Sequence, residues 1–141
     1  MTFGELVDKL GDRLGVELTD EGGAAAVEVD GIPVVLQRAS DDLLLVHADL
    51  GEIAPENREK VLAAAMEANF LYQGTGGATL AVDPREGHLH LQKYNWLERL
   101  DGEKVLSGLM RFADTVKSWR GLASAAPADP PGHWEMWARM P

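Results

Sequence analysis

The sequence predicts an α+β fold of element order αβββαββα, a twisted antiparallel sheet with helices packed on it. Three observations carry this: apolar residues recur at three- and four-residue spacing in three segments, five other segments alternate with period two, and short turn signals join most of the strand-like segments. A chain of 141 residues can bury about two-thirds of its unfolded surface, so one core suffices without metal or disulfide staples. Residues 1–122 form the expected domain, and 123–141 read as a Pro/Ala linker, ASAAPADPPG, with a tail holding Trp134 and Trp137 at i, i+3 spacing.

Thr2-Phe3-Gly4-Glu5 fits a capping box, so a first helix starts there, with Phe3, Leu6, Val7, Leu10 and Leu14 in one stripe and Gly15 as its C-terminal cap. Past Gly22-Gly23 the period becomes two. Ala25, Val27 and Val29 share one face, Asp30-Gly31 is a two-residue hairpin signal, and Ile32, Val34 and Leu36 continue on the next strand. After the turn at Ser40-Asp41-Asp42, the strand LLLVHAD is apolar on both faces, Leu43 and Leu45 on one and Leu44 and Val46 on the other. Such a strand is covered on both sides or keeps one face for a partner.

Pro55 suits a first helical position, and ENREKVLAAAMEANFLYQ is rich in helix formers. Its apolar residues make two rows, Val61, Ala65, Ala68 and Tyr72 against Leu62, Met66 and Phe70, so this helix should meet neighbours on more than one side, one of them a second copy. Gly74 is expected as its left-handed cap. TLAVD begins a fourth strand with Leu80 and Val82 inward, Asp83 to Gly87 is a turn, and HLHLQKY returns with Leu89 and Leu91 opposite His88, His90 and Gln92. Asp101 caps a last helix in which Val105, Leu109, Phe112, Val116 and Trp119 recur at 4-3-4-3 spacing.

Charge and composition narrow the function. The net charge of −10 argues against DNA or RNA, whose phosphates require clustered Lys and Arg. The acidity lies at the front: residues 1–60 hold 14 acids and 5 bases, residues 61–141 hold 9 and 8. That front is a solubilising surface or a face for a basic partner. Cysteine is absent, which excludes thiolate zinc sites and cysteine nucleophiles. The N-terminus lacks the apolar run of a signal peptide and no stretch approaches the ~20 apolar residues of a membrane span, so a cytoplasmic protein without membrane insertion is expected.

No catalytic motif stands out. Gly74-Thr75-Gly76-Gly77 invites a phosphate-cradle reading, but such a cradle precedes a helix, whose N-terminus supplies the amides; here the helix comes first, so a tight helix-to-strand turn is expected. His88 and His90 lie on one strand face, and His47 with Asp49 repeats the pattern. A metal- or small-molecule-binding face built on His47, His88 and His90 is therefore the alternative to a protein-binding module, set against the polar outer surface any exposed strand collects. No cofactor is implied.

The succession LLLVHADLGEI, then a helix ending in EANFLYQGTGGATLAVDPREGHLHLQ, then LDGEKVLSGLMRFADTVKSW resembles the Tir chaperone (CesT) family, the class I chaperones of bacterial type III secretion, over about residues 2–122. The resemblance implies a small acidic cytosolic homodimer of secretion chaperone-like fold, without catalysis, that binds the N-terminal segment of a secreted effector and keeps it secretion-competent. It maps client binding to Phe3, Leu6, Val7, Leu10, Val34, Leu36, Leu43 and Leu45. It maps the dimer interface to Val61, Leu62, Ala65, Met66, Ala68, Phe70, Tyr72, Leu80 and Val82. The tail after residue 122 departs from the family, and HWEMWARM is expected to lie in an apolar groove of its own or the partner subunit.

Overall fold

The structure, a computed structural model, describes residues 1–120; the expected linker and tryptophan tail lie outside the described residues. Its elements are α1 (Phe3–Leu14), β1 (Ala24–Val29), β2 (Ile32–Ser40), β3 (Leu43–Glu52), α2 (Arg58–Asn69), β4 (Thr79–Val82), β5 (His88–Trp96) and α3 (Gly102–Trp119), the α+β order that periodicity predicts. The strands make a five-stranded sheet in the order β1-β2-β3-β5-β4, with antiparallel pairing of β1 with β2, β2 with β3 and β4 with β5. The described residues form two compact units, residues 1–48 with 93–113, and residues 49–92 with 114–120.

In the first unit the capping box forms as read: the Glu5 amide donates to Thr2 Oγ1 and the Thr2 amide to Glu5 Oε2, while Gly15 closes α1 in the left-handed region. The hairpin turn puts both Asp30 and Gly31 at positive φ, 51° and 79°, which matches the right-handed twist of the strands it joins. Register then decides the core. Val27 opposes Val34, Ala25 opposes Leu36 and Leu36 opposes Val46, so the buried residues of β1, β2 and β3 fall on one face. Val105, Leu109 and Phe112 of α3 are buried as well. Asp101 caps α3, accepting at Oδ1 from the amides of Glu103 and Lys104.

In the second unit α2 packs on β4, with Val61, Ala65 and Ala68 buried. The glycine segment differs from expectation. The helix ends at Asn69, and the left-handed residues that follow are Leu71 and Tyr72, both at φ 57°, then Gly76 and Gly77, not Gly74. Gly74 is needed for another reason: a Cβ there would lie 2.9 Å from Cα and Cβ of Ala68. Its carbonyl accepts from Trp119 Nε1 at 3.0 Å, which satisfies the indole N–H of a fully buried tryptophan. Thr75, also buried, donates its hydroxyl to the carbonyl of Ala78.

Candidate protein-binding surfaces

Alternation along β5 assigns the two faces of the first unit. Lys93 and Asn95 line the same groove as Leu44, Val46 and Phe112, on the side α3 occupies. Tyr94 and Trp96 therefore point to the opposite face, as do Leu43 and Leu45. Tyr94 and Trp96 are 55% and 49% exposed, and Leu43 and Leu45 are half-buried. Leu45 is paired with Gln37, and the half-buried Val35 with His47, on the same face. The result is a sheet face carrying aromatic and aliphatic side chains beside Gln37 and His47, a surface fitted to apolar segments of another chain.

Six of the eight expected client-binding residues are elsewhere. Phe3, Leu6, Val7, Leu10, Val34 and Leu36 are at most 3% exposed, enclosed in their own core with no surface to offer. Spacing identifies which side of a helix or strand is apolar, but not which side its own chain covers. Tyr94 closes the HLHLQKY alternation and Trp96 lies two residues further along β5 on the same face, so both positions were legible from the period.

On the second unit the two rows of α2 separate. Val61, Ala65 and Ala68 are buried, as is Leu80 of β4, whereas Leu62 and Val82 are half-buried. Met66, Phe70, Leu71 and Tyr72 are 74%, 60%, 64% and 53% exposed, so four large apolar side chains occur within seven residues at the end of α2 and the turn after it. Asn69 lies among them. Its side-chain amide donates to the Leu80 carbonyl at 3.0 Å and its Oδ1 accepts from the Leu80 amide at 2.8 Å. Those backbone groups of edge strand β4 are thus taken up within the chain.

The histidines divide. His47 Nε2 lies 3.2 Å from Gln37 Oε1, whereas His88 Nδ1 lies 2.8 Å from Asp49 Oδ2 and its Nε2 3.9 Å from Glu86 Oε2. Asp49, Glu86 and His88 bring one ligand atom each within 4.8 Å of one another, a set that includes only one of the three histidines read as a metal face. Hydrogen bonding to Asp49 raises the His88 pKa. For Asp49 partial burial pushes upward, but the Gly51 amide and His88 outweigh it and hold the carboxyl below its ordinary value. No helix among the described residues is long and apolar enough to cross a membrane.

The fold recurs in solved structures. A chain of the HopA1–SchA chaperone–effector complex matches with a TM-score of 0.67 and 18% identity, covering 84% of this chain and 92% of that one. The Yersinia pestis type III secretion chaperone SycH, in complex with a fragment of YscM2, matches with a TM-score of 0.67 and 21% identity over 84% of this chain and 99% of that one. The ExoT–SpcS complex from Pseudomonas aeruginosa gives 0.62 and 21%, covering 79% and 91%. At these identities the likeness is one of fold. No curated protein matches in sequence. The model of the Tir chaperone protein (CesT) family, however, matches residues 5–120, from α1 through α3, and the chain belongs to that family of type III secretion chaperones.

Proposed function

We propose that this protein holds the N-terminal segment of a secreted effector on the open sheet face of its first unit, acting in the cytoplasm as a homodimer joined through its second unit. The observation that carries the reading is the exposed pair Tyr94 and Trp96 beside the half-buried Leu43 and Leu45 on one sheet face, since burying such side chains supplies the affinity a passive chaperone requires. Family membership supplies the client class, and the HopA1–SchA structure cited above, one chain of which shares this fold, is a chaperone–effector complex. Binding of this kind involves no bond-making step, so we read the protein as having no catalytic activity. The dimer surface is Met66, Phe70, Leu71 and Tyr72, flanked by Leu62 and Val82.

Co-purification from the native cell followed by limited proteolysis tests this. A protected N-terminal segment of a secreted protein is expected. Trp96→Glu together with Leu45→Glu should release it while the chaperone stays folded. Protection of some other region of the client would remove the effector-chaperone reading, and a client retained by the double variant would remove the open face as its seat.

A further inference from the structure

The helix side of the first unit carries a groove of about 360 Å³, at the small end of the range for small-molecule sites. Its floor is apolar: Leu44, Val46, Val105, Leu109 and Phe112 line it, each at most 5% exposed in the chain. Its polar lining is of one sign. Lys93, Lys104 and Arg111 belong to it, with Asn95 and Ser107, and no Asp or Glu does. On a chain with 23 acids and 13 bases, a groove of three cations and no carboxylate departs from the surface around it.

We propose that this groove binds a small amphipathic carboxylate, an apolar chain or ring bearing a single anionic head. The body covers Leu44, Leu109 and Phe112, and the head meets Lys93, Lys104 and Arg111 through charge-assisted hydrogen bonds. A neutral ligand of the same shape gains the apolar contact alone, and a cationic one meets three like charges, so the groove selects by head group. Lys93 and Asn95 face this groove while Tyr94 and Trp96 face away from it, so the site is distinct from the client face and does not depend on it.

Titration of the isotope-labelled full chain with octanoate, octanol and octylammonium, followed by amide chemical shifts, tests the proposal. Octanoate should saturably move amides around residues 93–95 and 104–112 and bind at least about tenfold more tightly than octanol, with octylammonium weakest. Lys93→Gln with Lys104→Gln should bring octanoate down to the octanol level, and Arg111→Gln provides an independent check of the same loss. Equal affinity for the three head groups, shifts mapping outside these residues, or a preference for octanoate that survives all three substitutions would each overturn it.

Discussion

His88 shows how far one side chain is set by its partners. Its Nδ1 sits against Asp49 at 2.8 Å, and that bond raises its pKa above the ordinary 6.5. A raised histidine contributes stability that is complete below 6.5 and is lost as pH rises through the folded-state value. The lowered Asp49 contributes above 3.8 and loses its contribution as pH falls through its own folded value. The pair therefore supports the fold most in the interval between. An NMR titration should place His88 above 6.5 in the natural protein and return it toward 6.5 in Asp49→Asn; titration at or below 6.5 without the substitution would mean that the contact does not persist in solution.

Asn69 is the residue that sequence could not expose. Its partner Leu80 is eleven positions on, and a polar residue near a helix end reads as solvated wherever it occurs. Asn69→Ala leaves the Leu80 amide and carbonyl without these partners, at a cost of about 1–3 kcal/mol. Urea unfolding checks this: the midpoint should fall with the slope unchanged. Thr2 and Asp101, by contrast, were legible as caps because their partners lie within three residues.

At the scale of elements, period and turn chemistry carried the order of all eight, and the misses cluster at one place. The α2 pattern continues through ANFLYQ to Gly74, yet the helix stops at Asn69: Phe70 is extended at ψ 117°, and Leu71 and Tyr72 then adopt φ 57°. Neither residue favours that region, which costs an L-residue about 1–2 kcal/mol, so no local rule anticipates it. The strain coincides with exposure, since Leu71 is 64% exposed, and strained backbone that presents an apolar side chain to solvent fits an interface. Leu71→Gly should leave the isolated chain as stable or up to about 1 kcal/mol more stable, while weakening self-association. Calorimetry on dilute and concentrated samples separates the two effects; destabilisation of the dilute chain would show that Leu71 serves its own fold.

For the whole molecule, the two proposed surfaces lie on different units, so substitutions should separate their roles. Met66→Glu places a charge in the proposed dimer surface at a position 74% exposed, where the folded chain itself has little to lose. It should convert the dimer to monomer in light scattering, whereas Trp96→Glu should leave the mass unchanged. Charge adds a second, independent signature. Joining two chains of net charge −10 brings like charges together, so the apolar contact must exceed their repulsion. Added salt screens that repulsion over about 10 Å at 0.1 M and also favours burial of apolar surface when the salt is a sulfate. Dimer affinity should therefore rise with sodium chloride and rise further with sodium sulfate. An interface held by ion pairs would respond in the opposite sense to sodium chloride, so a dimer that dissociates on adding it would refute an apolar interface at Met66, Phe70, Leu71 and Tyr72.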